Sequence, residues 1–274
     1  MLRYSLLFLS FLVIFSSCSK FSKVLKSKDF EYKLKMANTY YEGKDYRKSQ
    51  ILYEELFPVF KGTPQFDDLY YRYAYAQYYL RDYITAESLF KGYLEVFSNN
   101  ARAEEVEYMQ AFCFYKQSPK AELEQSNTIR AIGMLQIFIN THPESAKIKE
   151  AEALVLKCQA KLEVKEALSA QLYYNVSQYR AAALTYTTLL NNYPDSKKGD
   201  EYKLMAVRAY FKYAAMSIPE KQAERYQKVI VEAEDFQDRF PESKLMKEAE
   251  RYLTLSKNNL KSLNHEQTTQ KGRK

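Results

Sequence analysis

The sequence predicts an all-α protein, a superhelix of about five stacked helix pairs closed by a C-terminal helix. Three observations carry this. The first is a repeat: residues 142–152 read HPESAKIKEAE and residues 240–250 read FPESKLMKEAE, with seven of eleven positions identical. A third copy, Tyr193-Pro194-Asp195-Ser196-Lys197, lies between them, so the unit recurs every 47 to 51 residues, a period that indicates a solenoid. The second is patterning: apolar residues recur at helical spacing, and no segment sustains the alternation of a strand. The third is punctuation. The 274 residues include only six glycines, and the seven prolines fall between helical segments. At each copy of the repeat an aromatic residue or histidine closes one helix. Proline cannot continue it, and serine is placed to cap the next.

Taken in order, helices are expected over about 30–42, 45–58, 65–80, 83–97, 100–116, 125–141, 145–175, 178–192, 196–216, 220–239 and 243–261. In the first pair, Ala37, Tyr40-Tyr41, Asp45-Tyr46, Ser49, Tyr53 and Leu56 form a set in which a small residue lies beside large ones. Tyr70, Tyr73, Ala74, Tyr78, Asp82-Tyr83, Ala86, Phe90 and Tyr93 repeat it in the second pair, and Ala170, Tyr173-Tyr174, Tyr179, Ala182, Tyr186 and Leu189 in the fourth. Small residues let two helices approach, and aromatics fill the space beside them. This is the tetratricopeptide pattern. The third and fifth pairs are stretched by inserts at 117–125 and 217–220. The repeats divide into an N-terminal set over about 30–141 and a C-terminal set over about 145–261. Residues 262–274, SLNHEQTTQKGRK, read as a polar, disordered tail.

The first residues have a different character. Arg3 is followed by an apolar run from Tyr4 to Phe15, too short to span a bilayer, and then by Ser16-Ser17-Cys18. This is the pattern of a bacterial lipoprotein signal over 1–17, with cleavage before Cys18 and a palmitate-type acyl anchor on its thiol. An ordinary secretory signal with an incidental cysteine is the alternative. Several acyl chains at about 0.8 kcal/mol per buried CH₂ make a stable anchor. Residues 18–29 then form a basic, lipidated tether.

The 41 basic and 34 acidic residues are interleaved along the helices, as in KIKEAE, which marks solvated faces rather than a nucleic-acid stripe. Cys113 and Cys158 sit in apolar contexts and are expected to be buried free thiols. The sequence contains no phosphate-binding glycine loop, no HExxH and no GxSxG, and only two histidines. No cofactor, metal or catalytic residue is expected.

Beyond these readings, the chain after the signal resembles the BamD family, the tetratricopeptide lipoproteins of the outer-membrane β-barrel assembly machine, in the form found in Bacteroidota-type bacteria. The residues that carry the resemblance are CSKFSKVLKS at the anchor, NTYYEGKDYRKSQILYEEL in the first repeat and AEEVEYMQAFCFYKQSPKAELEQ in the third. KCQAKLEVKEALSAQLYYNVSQYRAAALTYTTLLNNYPDS in the fourth and RFPESKLMKEAERY before the last helix complete the set. The resemblance implies a protein lipid-anchored at Cys18 on the periplasmic face of the outer membrane. It implies that the C-terminal repeats bind the POTRA domains of a BamA-like barrel. It further implies that the N-terminal repeats receive unfolded outer-membrane proteins, and that no reaction is catalysed. Only Cys18 transfers position by position.

A peptide-binding wall is read from the residues themselves. First helices of each pair line the inner face of such a solenoid, which points to Leu34, Asn38 and Tyr41, then Tyr71, Tyr75, Tyr78 and Tyr79. Tyrosines at this spacing serve equally well as packing against a neighbouring helix, so both roles stay open. Two other functions share parts of this pattern. An envelope adaptor for cell division or peptidoglycan synthesis has regular 34-residue repeats and often a coiled coil ahead of them, neither of which is present here. A glycan-capture lipoprotein would be far longer, with large loops, and this chain contains no Trp.

Overall fold

A computed structural model describes residues 20–271 of the protein, with side chains to His265. All regular structure among the described residues is helical. Residues 20–26 form α1. There follow α2 (Phe30–Glu42), α3 (Tyr46–Phe60), α4 (Phe66–Tyr79), α5 (Tyr83–Phe97), α6 (Ala103–Gln117) and α7 (Ser126–Thr141). The chain continues through α8 (Ile148–Asn175), α9 (Tyr179–Asn192), α10 (Gly199–Ala215), α11 (Pro219–Arg239) and α12 (Met246–Lys271). The expected helices are all present, mostly within a residue or two, although α6, α8, α10 and α12 each begin three residues late.

The chain forms two compact units. The first runs to Pro119 and takes in Glu124–Gln159; the second comprises Lys120–Leu123 and everything from Ala160. The sequence reading put the division at the His142–Ser145 junction, whereas by contact it falls inside α8. The reason is that α8, at 28 residues, serves two cores. Its Ala151, Leu154 and Val155 belong to the core of the first unit, and its Ala170 packs with Tyr186 and Leu189 in the second.

In the first unit each helix from α2 to α7 packs on the next, and α2 also touches α4. The residues of the repeat pattern form this core: Ala37, Ser49, Tyr53, Leu56, Ala74, Ala86, Phe90 and Tyr93 are buried. In the second unit α9, α10, α11 and α12 pack in succession. Arg208 of α10 forks onto Glu248 of α12, and the buried Lys203 donates to Glu232 at 2.6 Å and also reaches Asp235. One bond recurs in both units at the same spacing: Tyr53 Oη donates to Asn38 at 2.8 Å, and Tyr186 Oη donates to Gln171 at 3.0 Å.

The turns inside the pairs are also repeated. Lys44, Arg81 and Ser177 have φ of 61, 65 and 62°. In each turn the next amide reaches back to Tyr40, Gln77 or Tyr173 over 2.8–3.0 Å. That is a Schellman closure with a left-handed residue after the cap. Gly43 precedes the left-handed position and has φ of −75°.

Several expectations need correction. Ser145, Ser196 and Ser243 do not cap the following helices. Each Oγ instead accepts the amide two residues on, at 3.1 Å, and donates to an acidic side chain of an earlier helix. Two of the seven prolines lie inside helices. Pro219 is at the first position of α11, where no amide is needed, and Pro58 lies two residues before the end of α3. The segment 18–29 is not simply a tether. From residue 20 it forms α1, whose Val24 is buried in the first core with Phe21 and Leu25 packed beside it. Residues 262–271 are not a disordered tail: α12 runs to Lys271, and Leu263 packs on the core of the second unit. Cys113 and Cys158 are both buried thiols outside any disulfide, as expected. Cys18 and the signal segment lie outside the described residues.

Candidate peptide-binding site

Three helices of the first unit, α2, α4 and α6, bring the expected tyrosines together. Helical spacing puts Tyr71, Tyr75 and Tyr79 on one stripe of α4. The rings of Tyr71 and Tyr75 are 4.7 Å apart, and those of Tyr75 and Tyr79 are 5.9 Å apart. Tyr41 of α2 approaches Tyr79 at 6.4 Å, and Tyr46 of α3 stacks on Tyr79 at 4.4 Å. Tyr78 lies between α5 and α6, meeting Tyr83 of its own pair at 5.7 Å and Phe112 of the next at 6.2 Å.

The seven residues do not share one role. Tyr75 is buried, its ring edge-on to Phe90 at 5.2 Å and its hydroxyl donating to Glu105. Tyr71 donates to the other oxygen of the same carboxylate at 3.0 Å. Burial, reinforced by Glu105, holds the Tyr75 hydroxyl protonated far above its usual range, and burial is the main cause that pushes Tyr71 up to about 12. Both rings therefore present neutral donors already committed to a carboxylate. Tyr41, Tyr71 and Tyr78 are half-buried, and Tyr79 is 46% exposed. Leu34 is buried and, with Asn38, lines a shallow cavity of about 410 Å³ on α2 that is bordered by Glu31, Lys35, Thr39 and Glu42. The accessible surface is thus Tyr41, Tyr71, Tyr78 and Tyr79, with the buried Tyr75 beside them, whereas Leu34 and Asn38 belong to the separate cavity on α2.

Charged groups frame this surface, and the sequence reading did not include them. Arg72 bonds Asp68 at 2.6 Å and Glu42 at 3.1 Å, and lies 5.4 Å from the Tyr41 ring. The guanidinium of Arg102 sits 4.4 Å over Tyr71 and bonds Asp68 at 3.1 Å. Only the Asp68–Arg72 pair had a local signal, its spacing of four; the others meet through the tertiary structure. Rings with fixed hydroxyls and two delocalised cations suit an extended segment bearing aromatic side chains.

The second unit has a surface of its own, a cavity of about 580 Å³ on α9, α10 and α11. Arg180, Tyr213, Arg225, Lys228 and Val231 line it, with Arg225 stacked 4.0 Å over Tyr213. Among the described residues, no group of three His, Cys, Asp or Glu side chains could hold a metal ion, and no helix is long and apolar enough to cross a membrane.

A family model, YfiO, described as outer membrane lipoprotein, matches residues 31–227, well over half of the sequence. The chain belongs to the YfiO family. This is the BamD-like group of outer membrane lipoproteins, a scaffold family that is generally non-catalytic. No curated protein matches the sequence. Among solved structures, the TPR2AB-domain:pHSP90 complex of yeast Sti1 is similar at a TM-score of 0.38 and 16% identity, over 83% of this chain and 98% of that one, too loose a likeness to carry an argument. The YfiO match takes in the whole tyrosine surface and most of the basic cavity, ending at Gln227 just before Lys228 and Val231.

Proposed function

We propose that this YfiO-family protein is a non-catalytic scaffold of an outer-membrane β-barrel assembly machine, held on the periplasmic face of the outer membrane by acyl chains on Cys18. The tyrosine surface of the first unit receives unfolded outer-membrane proteins through aromatic residues of their strands. The second unit docks the POTRA domains of a BamA-like barrel. Insertion is driven by folding of the barrel, so the scaffold needs no nucleophile, metal or cofactor.

The observation that supports this most is family membership over a stretch that includes the tyrosine surface and most of the basic cavity. The basic, aromatic cavity on α9–α11 has the composition of an interaction hot spot, in which Arg and Tyr dominate.

Purification of the anchored protein from its native membrane in mild detergent, with mass spectrometry of what co-elutes, tests the reading. Recovery of a stoichiometric large β-barrel protein carrying POTRA domains is the expected outcome. Division or peptidoglycan proteins, or a glycan-transporter barrel, would replace it with one of the other envelope roles. The client surface is tested separately by Tyr41→Ala with Tyr79→Ala, two side chains that leave the buried Tyr75 in place. The pair is expected to weaken crosslinking to a barrel's C-terminal peptide by about thirtyfold, the scale of one hot-spot contact. Unchanged crosslinking in a folded double variant removes the tyrosines from the client role.

A further inference from the structure

Residues 20–28 read KFSKVLKSK, four lysines with no acidic residue. A flexible tether would spread these charges in solution, but α1 is ordered from residue 20 and fastened to the first pair. Val24 is 2% exposed. Phe21 meets Tyr40 edge-on at 5.6 Å, and the Lys48 ammonium lies 5.9 Å over the Phe21 ring. At about 100° per residue, Phe21, Val24 and Leu25 share an arc of about 100° on one side of the helix. Lys20, Lys23 and Lys26 occupy the opposite arc, and with Lys28 all are exposed. None of the four makes an ion pair among the described residues.

We propose that this lysine face is a membrane-contact surface that binds the phosphates of anionic phospholipids and holds the first repeat against the bilayer. The proposal rests on the reading that Cys18 carries the anchor. Residue 20 is two positions from the acylated cysteine, so at about 3.5 Å per residue the first lysine can stand no more than about 7 Å from the lipid attachment. That is within one Debye length at physiological salt. The apolar side of α1 is already occupied by the fold, so the cationic side is the one left to meet headgroups. Rolling the helix over would expose Phe21 and Val24. A lysine beside an anionic leaflet contributes about fivefold in affinity. The face therefore acts as a second, electrostatic attachment that orients the first unit, where the acyl chains alone would leave it free to swing.

The test uses the acylated full-length protein reconstituted in phosphatidylcholine vesicles with and without phosphatidylglycerol. A water-soluble amine reagent labels exposed lysines, and peptide mass spectrometry reads each site. Labelling of Lys20, Lys23, Lys26 and Lys28 is expected to slow at least about fivefold in the anionic vesicles and to recover in high salt, while Lys91 and Lys221 stay constant. In K20E/K23E/K26E, which leaves Phe21 and Val24 untouched, Lys28 is expected to lose its protection while the far-UV circular dichroism is unchanged. Equal labelling in both vesicles overturns the proposal, and protection seen only in the native complex assigns the face to an acidic protein instead. Vesicle flotation separates the two readings: a protein that floats but is not protected keeps the anchor and loses the lysine face. One that fails to float on phosphatidylcholine alone loses the anchor, and with it the argument for this face.

Discussion

Gly92 lies on α5 where a single added carbon would meet the ring system of the first unit. A Cβ there would sit 2.2 Å from the Tyr70 hydroxyl oxygen. Tyr70 cannot swing aside easily, because Phe57 at 4.6 Å, Phe66 at 5.4 Å and Tyr93 at 5.8 Å surround its ring. Helix propensity alone would make Gly92→Ala stabilising by about 1 kcal/mol. Overpacking opposes this with about 1–3 kcal/mol, and here it should win. Gly92→Ala is therefore expected to lower stability in denaturant unfolding, and adding Tyr70→Phe to restore part of it. A more stable Gly92→Ala protein would show that the ring moves. The opposite logic holds at Lys44. Its φ of 61° belongs to glycine, and a left-handed conformation costs other residues about 1–2 kcal/mol. After the greater chain entropy of glycine is deducted, Lys44→Gly is expected to gain about 0.5–1 kcal/mol in the same measurement.

The unit that repeats along this chain is a junction between elements as much as a helix pair. Asn100, Ser145, Ser196 and Ser243 each accept an amide two residues on. Each also donates to a carboxylate on an earlier helix, respectively Asp67, Glu104, Glu163 and Asp200. The bond staples the junction to the neck of its own repeat. Glu163 additionally accepts the Tyr202 hydroxyl at 2.9 Å. Ser196→Ala removes one bond to a charged group, worth about 1.5–3 kcal/mol when well shielded. The same change at Ser145, whose bond to Glu104 is the more exposed of the two, should cost less, and thermal unfolding of the two variants checks the order. The junctions were legible because proline and serine recur in print. Their bond was not, because its acceptor lies 33 to 43 residues away, and Asn100 plays the part without the motif around it. The tyrosine surface was legible for the same local reason: positions 71, 75 and 79 must share a helix face. What distance in sequence concealed was that Glu105 of α6 and Arg102, the residue just before that helix, would hold two of these rings, and that Tyr75 would be spent on the core. The polar composition of residues 262–274 hides the continuation of α12, in which Leu263, three residues after Leu260, still packs on the core of the second unit.

Across the whole molecule, its tyrosines and its buried ion pair set opposite limits of pH. The chain has 26 tyrosines, and in the first unit burial raises Tyr41, Tyr53, Tyr75, Tyr93 and Tyr108 well above their usual value of 10.0. In the second unit burial also raises Tyr186 and Tyr193, each to about 12. A hydroxyl held protonated by the fold contributes its stability in full below the unfolded value and loses it as pH rises toward the folded one. The protein should therefore keep its stability up to about pH 10 and lose it progressively above. At the acid end the buried carboxyl held down is Glu232. Burial pushes its carboxyl up, but Lys203 and Lys228 outweigh burial and bring it below its usual 4.5. That contribution is complete above pH 4.5 and is lost as pH falls through the depressed value. Stability measured by urea unfolding across pH should thus show a plateau with two falling limbs of different origin. Tyr53→Phe, which removes a buried hydroxyl and leaves the ring, is expected to flatten the alkaline limb, at the cost of the Asn38 bond. Glu232→Gln is expected to flatten the acid limb alone while lowering the plateau, because it leaves Lys203 buried with only Asp235 beside it. If Tyr53→Phe instead moved the acid limb, or Glu232→Gln the alkaline one, the assignment of each limb to its group would be wrong.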